Sequence, residues 1–122
     1  MWTFQISAGA ITDPKGAVLT REAYSGHPPH VNDPHACGLK DVGPLPPGLY
    51  RIGGMTEDGR LGPCIMALTP VNVPGIGERG GFYIHGDNAA QDHTGSDGCI
   101  VAPLAVRKAV VFSSDDQLLV VP

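Results

Sequence analysis

At 122 residues and 12.7 kDa the chain suits one domain, residues 1–122, and is too short for two independent cores. Its 17 glycines and 12 prolines would suggest low complexity by composition alone, yet 42% of residues are hydrophobic and fall in short runs between turn residues, the pattern of a globular β-rich domain. Eight basic residues against twelve acidic ones give a net charge of −4, which argues against a nucleic-acid or anionic-membrane surface, since both need clustered Lys and Arg.

Trp2, Phe4 and Ile6 alternate with Thr3, Gln5 and Ser7, a period of two that predicts a half-buried strand. Asp13-Pro14-Lys15-Gly16 is a type I turn sequence, and Ala17 to Tyr24 returns as a second strand, so the first 24 residues read as a hairpin. From Ser25 to Pro47 the prolines of His27-Pro28-Pro29-His30 and Gly43-Pro44-Leu45-Pro46-Pro47-Gly48 exclude helix. They predict a long irregular loop, of a kind compact domains usually keep for function. Leu49 to Gly53 reads as a strand, Glu57-Asp58-Gly59-Arg60 as a hairpin turn, and Cys64 to Leu68 as a central strand. In Gly81-Phe82-Tyr83-Ile84-His85-Gly86, Phe82 and Ile84 share one strand face and Tyr83 and His85 the other. With the first pair in the core, His85 is presented to a cleft or to solvent. Pro103 opens the one helix, with Val106, Ala109 and Val110 at helical spacing and Arg107 and Lys108 outside them. Leu118 to Val121 closes the chain as a buried strand. The sum is a mainly β, mostly antiparallel single domain with one short helix and a long Pro-rich loop.

No stretch approaches the roughly 18 consecutive apolar residues of a transmembrane helix. The opening Met1-Trp2-Thr3-Phe4 has neither the basic nor the apolar region of a signal peptide. Cys37, Cys64 and Cys99 are odd in number, leaving at least one thiol unpaired within the chain. A Cys37–Cys64 disulfide stays open, because sequence does not give their separation.

His85 and Cys99, each beside a glycine, carry the chemistry. A thiol attacks a carbonyl only as the thiolate, and a reference pKa of about 8.5 leaves it mostly protonated at neutral pH. A neighbouring imidazole can take that proton and return it to a leaving amine. Gly98 lets a substrate approach the backbone, and the N–H groups of Gly98 and Cys99 are candidates to hold an oxyanion. The start of the helix near Pro103 is expected to point its positive end at this loop. The competing reading is plain: a single Cys in a small domain is ordinarily an apolar filler, and a strand His is ordinarily structural.

The run Ile84-His85-Gly86 followed by Ser96-Asp97-Gly98-Cys99-Ile100 resembles the H-G…S-x-G-C-[IV] signature of L,D-transpeptidases. Tyr24-Ser25-Gly26, then Asn32, then Gly43-Pro44-Leu45-Pro46-Pro47-Gly48-Leu49-Tyr50-Arg51-Ile52 resemble the corresponding run of the type VI secretion L,D-transpeptidase effector family. The resemblance covers roughly residues 20–110. It implies a β-sandwich of L,D-transpeptidase type and a peptidoglycan-modifying cysteine acyl-transferase. Cys99 is then the nucleophile on the third residue of a stem tetrapeptide and His85 the base and acid. The Gly86 carbonyl orients the imidazole, Ser96 supports the loop or touches substrate, and Tyr83 and Asp97 line the substrate site. Water as acceptor gives L,D-carboxypeptidase action, and a D-amino acid gives exchange of the terminal D-Ala. The resemblance also implies an antibacterial effector exported by a secretion machine to a target periplasm, a cognate immunity protein, no cofactor, and a monomer. Two departures stand out: Asp97 replaces the usual His before Gly-Cys, and Val101 the usual Arg after Cys-Ile. Arg51, Arg79 and Arg107 are the candidates to replace that Arg as partner of a substrate carboxylate.

Other features read more simply. His27, His30, His35 and Cys37 cluster in the loop but match no structural zinc spacing, so no metal site is expected. His93 reads as a solvated loop residue, and Asp115-Asp116 as a polar turn. Gly80-Gly81 is not a phosphate loop, because no G-K-[ST] follows. The rival to the enzyme reading is a non-catalytic peptidoglycan-binding module, for example of a phage particle; the intact His85–Cys99 pair weighs against it.

Overall fold

The computed structural model describes residues 1–58 and 61–122. Among the described residues, nine strands form one continuous sheet that curls, with one α-helix laid against it. The strands are β1 (Trp2–Gln5), β2 (Ala10–Thr12), β3 (Val18–Thr20), β4 (Tyr24–Ser25), β5 (Gly48–Asp58), β6 (Gly62–Asn72), β7 (Phe82–His85), β8 (Ile100–Val101) and β9 (Gln117–Val121). The helix α1 spans Leu104–Phe112. In space the order is β3-β2-β1-β9-β5-β6-β7-β8-β4. Two pairings, β1–β9 and β7–β8, are parallel and the rest antiparallel.

The expected N-terminal hairpin is a three-stranded meander. The Asp13–Gly16 turn forms, with the Asp13 carboxylate accepting from the amides of Lys15 and Ala17. It joins β2 to β3, however. A tighter turn, in which Gly9 N–H donates to the Ile6 carbonyl with Gly9 at φ +60°, has already reversed β1 into β2. The strands β5 and β6 are each 11 residues long, well beyond the predicted stretches, and pair from Leu49 opposite Asn72 to Asp58 opposite Gly62. Their register shifts across Gly53-Gly54, where residues without side chains relieve a bulge. The turn expected at Glu57–Arg60 extends into 59–60, outside the described residues.

The core gathers the inward side chains of these strands: Trp2 and Phe4 from β1, Tyr50 and Ile52 from β5, Met66 and Leu68 from β6, Phe82 and Ile84 from β7, Leu118 and Val120 from β9. Pro103, with φ −58°, sets the entry to α1, as a ring-locked φ is suited to do. Val106 and Val110 face the sheet as predicted, but Arg107 is also buried. Its Nε donates to the Ala102 carbonyl at 3.0 Å, and its Nη1 to the carbonyls of Pro63 and Cys64 at 2.8 and 3.2 Å. A buried guanidinium is tolerated where its fork of donors is met, and here three neutral oxygens meet it. Among the described residues no disulfide forms, and Cys37, Cys64 and Cys99 are all thiols.

The 26–47 segment is irregular, as expected, apart from a 3-10 turn at Pro34–Ala36. It is nonetheless tightly held. Asn32 accepts from the Ser25 amide through Oδ1 and donates through Nδ2 to the Ala23 carbonyl. Tyr50 donates its buried hydroxyl to the Pro46 carbonyl at 2.6 Å. Gly43 packs so closely that a Cβ there would lie 1.8 Å from the Ala36 oxygen, whereas a Cβ on Gly38 would meet nothing within 4 Å. Gly43→Ala therefore destabilises the domain by about 1–3 kcal/mol, and Gly38→Ala leaves it unchanged. Urea unfolding of the two variants beside wild type checks the contrast.

Candidate active site

The parallel pairing of β7 and β8 brings His85 and Cys99 to one place. Ile84 lies opposite Ile100 and His85 opposite Val101, and the Ala102 amide donates to the His85 carbonyl at 3.0 Å. Parallel neighbours cannot be joined by a tight turn and need a crossover of about a dozen residues or more. The fourteen positions from His85 to Cys99 are that crossover. It returns the chain to the start of β8, where Cys99, half-buried, shares a cleft of about 410 Å³ with His85. Tyr83 and Asp97 line this cleft too. So do Arg79, one of the arginines offered from the sequence as partner of a substrate carboxylate, and Lys40 and Asp41 of the long loop, which the sequence did not single out.

The His85 ring has a defined tautomer. Its Nδ1 lies 2.7 Å from the Gly86 carbonyl oxygen. That oxygen can only accept, so the Nδ1 carries the proton and Nε2 of the neutral ring is the basic nitrogen. Behind Gly86, the Arg107 guanidinium packs where a side chain would otherwise stand, 2.7 Å from the position of a Cβ. The expected orienting role of the Gly86 carbonyl thus has the required geometry.

Gly98 differs from expectation. Its amide donates to the Ser96 hydroxyl at 3.1 Å and so is engaged away from any substrate oxyanion. Its carbonyl accepts from the Ser25 hydroxyl at 2.9 Å. Ser25 Oγ in turn accepts from the Leu45 amide, while Ser96 Oγ accepts from the Gly26 amide and donates to the Cys99 carbonyl at 2.5 Å. Both serines are fully buried. The Ser96 hydroxyl is thus bonded within the loop that carries Cys99 and to the segment beside it. Glycine is required at position 98 twice over: its φ is +139°, and a Cβ would lie 2.6 Å from Arg79 Nη2. The role of Ser25 was missed, although the Tyr24-Ser25-Gly26 motif had drawn attention to it. A hydroxyl's partners lie 20 and 73 positions away, and no local spacing signals them.

The crossover is pinned at both ends by Tyr24. Its hydroxyl donates to the Asp87 carboxylate at 2.6 Å and accepts from the Gly95 amide at 3.0 Å. Burial and the adjacent carboxylate push the phenol well above its ordinary value, so it stays a donor at any working pH. His93, on the exposed loop, stands edge-on to the Tyr24 ring at 4.8 Å. His27 lies 3.7 Å from the Asp97 carboxylate, and His30 3.6 Å from that of Asp33. The start of α1 borders a second groove, with Pro103 and Leu104 in its wall beside Gly86 and Asp87. The helix was expected to point at the Cys99 loop, but β8 stands between them. Of the candidate arginines, Arg51 is exposed on β5 away from the cleft and Arg107 is committed to carbonyls; only Arg79 lines it among the described residues.

The Tlde1 domain family matches residues 20–118 of the chain. The chain belongs to the Tlde1 domain family. Among solved structures, it is similar to the crystal structure of an Enterococcus faecium L,D-transpeptidase C442S mutant, with a TM-score of 0.55 and 20% sequence identity. The likeness covers 98% of this chain and 48% of that one, so the Tlde1 domain spans about half of that enzyme's length. No curated protein matches it. The mainly β architecture with one helix is thus an L,D-transpeptidase-like fold, and the family expected from the motifs is the one found.

Removing the Ser96 hydroxyl would leave the Gly26 and Gly98 amides and the Cys99 carbonyl without it in a buried site. Ser96→Ala is expected to cost about 1–3 kcal/mol, read as a lowered urea midpoint. Asp97→Ala, exposed one position away, leaves the midpoint unchanged.

Proposed function

We propose that this Tlde1 domain is a cysteine acyl-transferase acting on peptidoglycan stem tetrapeptides, with Cys99 as nucleophile and His85 as base and acid. The observation that carries the reading is the cleft shared by Cys99 and a His85 whose Nδ1 is held by the Gly86 carbonyl, which leaves Nε2 as the nitrogen that exchanges protons.

In the first half-reaction the Cys99 thiol gives its proton to His85 Nε2 and the sulfur attacks the carbonyl carbon of the third stem residue. Collapse of the tetrahedral adduct breaks the C–N bond to the terminal D-Ala, whose nitrogen takes the proton from His85. A thioester on Cys99 remains. In the second half-reaction a water or the amine of a D-amino acid gives a proton to His85 and attacks the thioester carbon, and the sulfur leaves as thiolate. Water yields a tripeptide and the amine an exchanged tetrapeptide. The oxyanion of each adduct is assigned to the Cys99 amide, since that of Gly98 is donated to Ser96. Tyr83 and Asp97 are assigned to the walls that receive the stem peptide.

No helix among the described residues is long and apolar enough to cross a membrane. Membership of a type VI effector family supports export to the periplasm of a target bacterium, an antibacterial role there, and a cognate immunity protein in the producer. These belong to the same proposal.

Mass spectrometry of tetrapeptide muropeptides tests the chemistry. Incubation with wild type is expected to remove the terminal D-Ala, or to replace it when another D-amino acid is supplied. Cys99→Ala is expected to abolish both reactions, and His85→Ala to slow them by about 10²–10⁴-fold. Untouched muropeptides with folded wild-type protein would sink the proposal and turn attention to sacculus binding.

A further inference from the structure

Arg79 in the cleft wall makes four hydrogen bonds to described residues. Its Nη1 donates to the carbonyls of Cys37 and Pro44 at 2.7 and 2.6 Å, and its Nη2 to those of Gly43 and Asp97 at 2.9 and 3.4 Å. The guanidinium carbon stands 5.3 Å over the Phe82 ring. Three of the carbonyls belong to the long loop, one to the loop that carries the nucleophile, and the ring to the strand that carries His85. Four of the five N–H donors of the guanidinium are therefore committed to neutral acceptors, and a substrate carboxylate could pair with it only by displacing them. Its charge, however, has no carboxylate in direct contact among the described residues. Nη2 lies 2.6 Å from where a Cβ of Gly98 would stand, one residue from Cys99, and the guanidinium and the Cys99 thiolate attract each other.

Resting on the reading of Cys99 as nucleophile, we propose that Arg79 is a positioning residue: it ties the 26–47 loop to the Cys99 loop by its fan of carbonyl bonds, and its positive charge favours the Cys99 thiolate. It is not the partner of a substrate carboxylate. The planar fork explains why Arg rather than Lys serves here, since an ammonium cannot reach four oxygens in one plane. Other groups contribute to the field. His85 and Tyr83 face the cleft from β7, Lys40 and Asp41 from the long loop, and Asp97 from the nucleophile's own loop. Cys37 and Tyr50 face the guanidinium from the long loop and β5. The Cys37 thiol is pushed up by burial and therefore stays neutral beside it near pH 7.

The test is the pH dependence of iodoacetamide alkylation, read on the Cys99 peptide by mass spectrometry for wild type, Arg79→Gln and Arg79→Lys. Loss of the charge is expected to move the Cys99 inflection upward by about one pH unit. Arg79→Lys is expected to keep the wild-type inflection. It should nonetheless raise hydrogen exchange across residues 37–44 and lower turnover of the tetrapeptide by about 10–100-fold with KM little changed. A wild-type inflection in folded Arg79→Gln would overturn the electrostatic role. A rise in KM with unchanged turnover in Arg79→Lys would overturn the positioning role and restore Arg79 as a carboxylate partner. Should Arg79→Gln not fold, Arg79→Lys decides alone: an inflection shifted by a unit despite the retained charge would sink the proposal. Alkylation needs no substrate, so a failure of the peptidoglycan reading would show separately, as wild-type protein that titrates normally but leaves muropeptides intact.

Discussion

Two hydroxyls shut away from water, those of Ser25 and Ser96, hold the peptide groups on either side of Gly98 by N–H and C=O alike. Buried backbone groups without partners cost on the order of 1–3 kcal/mol each, so the loop that presents Cys99 has one affordable conformation. The left-handed φ of Gly98 and the close approach of Arg79 follow from that conformation. The same two oxygens receive the amides of Gly26 and Leu45, at opposite ends of the long loop. Cleft wall and nucleophile are thereby parts of one hydrogen-bonded unit.

The domain deals with the half-buried Arg79 and the buried Arg107 in the same way. Neither Arg79 nor Arg107 forms an ion pair among the described residues; each is surrounded by backbone carbonyls. Burial lowers the proton affinity of both guanidiniums, but from a value so high that they remain cations. A salt bridge would have cancelled the charge. Carbonyl dipoles solvate it and leave its field intact, which matters when one cation lines the cleft of Cys99 and the other packs behind Gly86.

Much of this was legible in the sequence, for identifiable reasons. Period-two alternation located β1 and β7, a closing apolar run located β9, and Pro103 located the helix, because these signals are local. Motif order pointed to the family and to His85, Gly86 and Cys99. The meander at the N-terminus was read as a hairpin because the turn before Gly9 lacks the Pro-Gly or Asp-Gly punctuation on which such readings depend. Arg107 was placed outside the core because a charge at helical spacing ordinarily faces solvent, and only its distant carbonyl partners reverse that rule. Ser25 and Arg79 owe their positions to contacts tens of residues away. The Gly98 amide, a candidate oxyanion donor, instead donates to a hydroxyl only two residues back, on a side chain whose direction the sequence does not give.

β9 lies in the middle of the sheet, between β1 and β5, although it is the last strand to be synthesised. It pairs with both, and without residues 117–121 the sheet is two separate pieces, β3-β2-β1 on one side and β5-β6-β7-β8-β4 on the other. Neither piece closes the sheet alone, so the seating of this one strand against both β1 and β5 is the step that joins the N-terminal meander to the strands around His85 and Cys99.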